Sequence, residues 1–243
     1  MKSEFTGFSQ LTIDFMWNLR FNNNKPWFEV HKDEFIRDVQ MPLKALGREV
    51  FDRICADFGD KGFIHKVSRI YKDARRVRDG EPYKTSLWFS FEKPTDDEWT
   101  ATPVFWFELS PESWSYGVGY GGARAETMAK LQTRIDKNTK AFEKLIAPLD
   151  GQNEFVLDGA EYVRKKEAPT TKTAEWYNKK SFSLIHRQPI EDELFSYELV
   201  DRLIKGYKFL MPFYDYLITL DFDPAPDGAE IKESQHIKEE IFQ

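Results

Sequence analysis

Phe8, Leu11, Phe15 and Leu19 recur at helical spacing around Ser9, so residues 10–20 read as an amphipathic helix capped by the serine. Asn22-Asn23-Asn24 interrupts it, because Asn tolerates left-handed backbone geometry and can cap the helix that follows. Pro26 suits the first turn of that second helix, where a missing N–H costs nothing. Phe28, Phe35 and Val39 form its apolar stripe, and Pro42 predicts a restart, since a proline inside a helix clashes with the preceding turn. Leu43, Leu46, Val50, Ile54 and Phe58 line a third helix.

The pattern changes at Gly62. Residues 66–72, 85–91, 103–109 and 114–120 alternate like strands and are separated by turn-rich links, which predicts an antiparallel meander. Phe105, Phe107 and Leu109 point one way and Val104 and Trp106 the other, so this strand is expected to be covered on both faces. Met128, Leu131, Ile135, Phe142 and Leu145 predict one long helix with Asn138 as a polar break in its stripe. Further strands are expected near residues 154–157 and 181–187. A last helix carries Val200, Leu203, Tyr207, Leu210, Tyr214 and Leu217, and Pro212 should kink or divide it.

Helices first, then a meander, then more helices predict an α+β fold with a mainly antiparallel sheet. Residues 1–222 are expected to form a single domain, with 223–243 as an acidic tail bearing Ile231, Ile237, Ile241 and Phe242. Seven carboxylates against two lysines place −5 of the formal −6 in the last 23 residues, leaving −1 for the body. That balance argues against wholesale nucleic-acid binding, which favours a strongly basic face. No apolar run reaches membrane-helix or signal-peptide length, so a cytoplasmic location without a membrane partner is expected. Cys55 is the only cysteine, which rules out an internal disulfide and multi-cysteine metal sites. On a helix, it is expected to be a small buried apolar group.

The densest polar stretch runs from Arg69 to Lys84, with six bases and three acids in sixteen residues. Arginine offers a permanently charged fork suited to carboxylate or phosphate, and loops held by a sheet commonly carry binding residues. The competing interpretation pairs Asp73 and Asp79 with these arginines to fix the loop. Gly117-Val-Gly119-Tyr-Gly-Gly122 formally matches the dinucleotide fingerprint. It lacks the second parallel strand with its acidic residue, so glycines allowing close backbone approach are the preferred reading. His31, His65, His186 and His236 show no metal-ligand spacing, and no metal or cofactor is expected. Trp27, Trp88, Trp106 and Trp114 can stack on a base or sugar, or simply fill the core.

The order Asn22-Asn23-Asn24-Lys25-x-Trp27-Phe28, Arg69-Ile-x-x-Asp73-x-Arg75, Pro82-Tyr83-Lys84, and a Gly-Tyr-Gly turn before a helix resembles the family called domain of unknown function 2461. The resemblance spans roughly residues 8–218 and implies no catalytic role. This chain departs from the family pattern at Lys72, Arg76, Gly80 and Gln132, where Arg, Phe, Lys and Arg are usual.

The leading expectation is a pocket for a small anionic ligand built from Asn23, Arg69, Asp73, Arg75, Tyr83 and Lys84. A second is a non-enzymatic interaction module using the apolar surface or the tail. A third is an enzyme with Asp73 or His31 as proton carrier. Ligand identity and oligomeric state are not legible.

Overall fold

A computed structural model describes residues 4–73, 75, 77, 80–95 and 101–226. The expected tail residues Ile231, Ile237, Ile241 and Phe242, and Arg76, Arg78 and Asp79 of the basic stretch, lie outside the described residues. Three helical segments come first: α1 (Gln10–Phe21), α2 (Lys25–Glu34) and α3 (Met41–Phe58). Strands β1 (Ile64–Val67), β2 (Leu87–Glu92), β3 (Val104–Leu109) and β4 (Ser113–Gly119) follow. Next come α4 (Ala125–Lys137), α5 (Thr139–Ile146), β5 (Val156–Asp158), α6 (Ala174–Tyr177), β6 (Ser183–Pro189) and α7 (Glu198–Ile218). The six strands form one sheet in the order β1-β2-β3-β4-β6-β5, with β1–β2 and β2–β3 antiparallel, and the fold is α+β. Among the described residues no helix is long and apolar enough to cross a membrane.

Two compact units share the chain: Met1–Thr95 with Val104–Val118 and Ile185–Leu210, and Asp96–Pro103 with Gly119–Leu184 and Met211–Gln243. In the first unit the register sets Leu87, Phe89 and Phe91 opposite Leu109, Phe107 and Phe105. These six side chains are at most 2% exposed. Each large apolar group removed from water is worth roughly 1.5–3 kcal/mol, so this face contributes substantially to the unit's stability. Tyr207 of α7 meets Phe91 and Phe105 edge-on, and Phe51 of α3 covers Phe91. Close approach needs glycine at Gly206, where a Cβ would fall 2.3 Å from the Tyr116 ring.

The expected restart at Pro42 takes an unexpected form. The chain does not break between α2 and α3; it widens into a π-helical segment, Phe35–Gln40, in which the Met41 N–H bonds the Ile36 carbonyl. In an α-helix a residue at 42 would donate to Asp38, and proline has no N–H to give. The buried Thr12 hydroxyl of α1 donates to that Asp38 carbonyl instead, at 2.6 Å. Asn22 ends α1 at φ −125°, not in left-handed geometry, while Asn24 caps α2 by accepting from the Trp27 N–H at 3.0 Å. Cys55 is half-buried rather than enclosed.

In the second unit the expected long helix is two. Asn138 ends α4 and caps α5, its side chain accepting from the Ala141 N–H at 3.2 Å. Phe142 and Phe182 meet Trp176 edge-on, while Phe213 stacks on it. At Gly119, φ is +156° and a Cβ would lie 2.4 Å from the Phe182 carbonyl, so this glycine serves close strand approach. Helix α7 runs through Pro212 without ending there.

Candidate functional site

The asparagine corner between α1 and α2 is tied to the far end of the basic stretch. The buried Asn23 amide donates to the Tyr83 carbonyl at 2.9 Å and accepts from the Tyr83 N–H at 3.0 Å. Both polar groups of one buried backbone unit are satisfied by a single side chain, which fixes that residue in place. The Tyr83 ring stacks on Phe28 at 4.2 Å, is 1% exposed, and has its phenol pKa pushed up by burial. An isolated antiparallel bridge joins Tyr71 to Tyr83, extended by hydrogen bonds from Lys72 N–H to Pro82 and from Lys84 N–H to Ile70. The expected site residues Asn23 and Tyr83 are therefore brought together, with their polar contact running through the tyrosine backbone.

Asp73 and Arg75 pair with each other. The guanidinium donates to both carboxylate oxygens at 3.1 and 2.8 Å, and the Arg75 N–H also bonds Asp73 at 3.1 Å. The guanidinium hydrogen bonds to Asp73 are the main reason the Arg75 pKa is raised. Lys72 reaches Glu81 at 3.3 Å.

Arg69 and Lys84 behave differently. Among the described residues neither makes an ion pair or a side-chain hydrogen bond. The Lys84 pKa is lowered, first by desolvation and then by the Arg69 charge, so the two cations sit within electrostatic reach. The Lys84 ammonium lies 5.7 Å from the centre of the Trp88 ring, which offers it a cation–π contact.

Trp88 opens onto the sheet face opposite the phenylalanines. The pairs Trp88↔Glu108 and Ser90↔Trp106 alternate with the core pairs, so all four side chains share that face. Two Ser–Glu pairs are built on it. Ser86 donates to Glu108 at 2.5 Å, and Ser90 donates to the buried Glu92 at 2.9 Å, with Lys66 as the Glu92 counter-ion. Of these residues, the two tryptophans stood out in the sequence as candidate stacking groups. Lys66, Ser86, Ser90 and Glu92 carry no signal until the strand register sets them side by side.

A cavity of about 880 Å³ lies elsewhere in the same unit, between residues 4–7, the start of α3 and β1. Arg37, Lys44, Arg48 and His65 line it, but Arg37 is neutralised by Asp38 and Arg48 by Asp52. His31, the candidate proton carrier, stacks on Trp27 at 4.1 Å and bonds the Trp27 carbonyl through Nδ1 at 2.8 Å.

The family model described as conserved hypothetical protein (DUF2461) matches residues 11–216. No curated protein matches the chain.

Proposed function

The chain belongs to the DUF2461 family of conserved hypothetical proteins, and we propose that it binds a small anionic ligand through Arg69 and Lys84. What supports this reading is a pair of neighbouring cations, one partly desolvated, that no carboxylate neutralises among the described residues. Like charges in each other's field cost free energy, and a bound anion offsets that cost by favouring both charged forms. Charge-assisted hydrogen bonds to phosphate or carboxylate are also the stronger kind, and the arginine fork can make two at once.

The other expected residues take supporting parts. Asn23 and the Tyr83 backbone fix the strand that carries Lys84, one residue from the clamp. Asp73 holds Arg75, so Arg75 joins the ligand only if that pair opens.

Isothermal titration of the full chain with inorganic phosphate, pyrophosphate and citrate tests the proposal. Saturable binding of at least one anion, lost in both Arg69→Ala and Lys84→Ala, is the expected result. Binding that survives both substitutions, or no binding by any of the three, sinks it.

A further inference from the structure

We infer that the anion is carried by a hydroxylated ring, a sugar phosphate or sugar acid, whose apolar face lies on Trp106; this rests on the anion site proposed above. The geometry begins at Lys84, whose ammonium is 5.7 Å from the Trp88 ring. Trp88 pairs with Glu108 and Ser90 with Trp106, which makes the two indoles diagonal neighbours on one sheet face. Diagonal positions on adjacent strands lie about 7–8 Å apart, within the span of one ring bearing a charged substituent. An anion held by Lys84 therefore has its attached scaffold within reach of Trp88 and, diagonally beyond it, of Trp106.

Trp106 is suited to receive it. The residue is half-buried, and among the described residues its ring has no aromatic partner and no hydrogen bond. Its backbone is held from beneath by the Tyr207 hydroxyl, which donates to the Trp106 carbonyl at 2.9 Å. A fixed, partly exposed indole can stack on the C–H face of a sugar or on a flat aromatic ring.

Glu108 separates those two ligand classes. One of its carboxylate oxygens takes the Ser86 hydroxyl at 2.5 Å, and the other has no partner among the described residues. An ionised carboxylate only accepts hydrogen bonds, so it rewards a ring that brings hydroxyl donors and repels one that brings a second anionic group beside it. A hydroxylated ring with a single anionic group at the Lys84 end satisfies Trp106, Glu108 and the two cations together.

Titration of the full chain with five probes tests this: glucose 6-phosphate, glucuronate, inorganic phosphate, glucose and phenyl phosphate. Glucose 6-phosphate or glucuronate should bind at least about tenfold tighter than phosphate, glucose or phenyl phosphate, the size expected for one stacking contact. Trp106→Leu should remove that gain and leave phosphate affinity unchanged. Glu108→Gln, which keeps the strand surface intact, should weaken both sugar ligands and spare phosphate. If phosphate binds as tightly as both sugar anions, the ring inference is overturned while the anion site stands. An equal gain for phenyl phosphate overturns the hydroxylated ring in favour of an aromatic one. If none of the five binds, the anion site and the inference built on it both fail.

Discussion

Asn23 and Tyr83 are separated by 60 positions in the chain and are joined by a reciprocal pair of hydrogen bonds of 2.9 and 3.0 Å. Replacing Asn23 by alanine leaves a buried N–H and a buried carbonyl of Tyr83 without partners. Each orphaned group costs about 1–3 kcal/mol, so Asn23→Ala should lose roughly 2–6 kcal/mol in denaturant unfolding. A loss below about 0.5 kcal/mol would show that water takes over the clamp.

Lys84 should trade stability for binding. Burial and the Arg69 charge both disfavour its ammonium form in the fold, so its folded pKa lies below the usual 10.5. Between that lowered value and 10.5 the unfolded chain holds more protons, and stability rises with pH through this window. Below the window the destabilisation is fully present. Lys84→Met should therefore melt at the same temperature as the parent or higher at pH 7 without ligand, while anion affinity is lost. A lower melting temperature together with intact anion binding would contradict both halves of the argument.

Thr12 gives a sharper test of how the chain tolerates Pro42. Its hydroxyl donates to the Asp38 carbonyl at 2.6 Å and accepts from the Ser9 N–H at 3.2 Å. Thr12→Val keeps the shape and removes both bonds, so it should cost about 1–3 kcal/mol. If Pro42→Ala in the valine background recovers most of that loss by restoring a helical N–H to Asp38, the hydroxyl is confirmed as the substitute for the missing backbone donor. No recovery would separate the threonine from the proline.

These cases mark where sequence reasoning carries and where it stops. The helices were legible because capping residues and 3.6-residue spacing are local: Asn24 does cap α2, and the Phe8 to Leu19 stripe does end near Asn22. The sheet was legible because Phe105, Phe107 and Leu109 alternate with Val104, Trp106 and Glu108. Asn138 was visible as a polar break, yet its conversion into a cap depends on backbone angles of φ −148° and ψ 67° that spacing does not encode. The candidate site was legible only as a concentration of charge. Whether Asp73 takes Arg75 or leaves it open is decided by loop geometry over two residues, and nothing in the composition selects between them. The Tyr83 ring, expected at the ligand, sits against Phe28 because a 60-residue contact fixes its backbone.

The contact between Gly47 and His65 links packing to pH in a way that one mutant series can resolve. A Cβ at Gly47 would lie 2.3 Å from His65 Nε2, so the imidazole edge packs directly on the α3 backbone. That nitrogen is buried without a hydrogen-bond partner, and the ring is flanked by Phe51, Phe89 and Phe91. Desolvation first, and the Arg48 charge second, lower the His65 pKa below its usual 6.5. The unfolded chain therefore takes up a proton near pH 6.5 while the folded chain resists it, and stability should fall as pH drops from 6.5 towards the lowered folded value. His65→Phe should flatten that acid-side loss by removing the titrating group. Gly47→Ala should destabilise by about 1–3 kcal/mol through overpacking, and combining it with His65→Ala should cost less than the sum of the two single changes. Urea unfolding of the parent and the four variants between pH 5 and 8 reads both effects at once. Strict additivity of the two alanine changes would show that the helix and the imidazole do not press on each other, and an acid-side slope unchanged in His65→Phe would assign the pH dependence to another group.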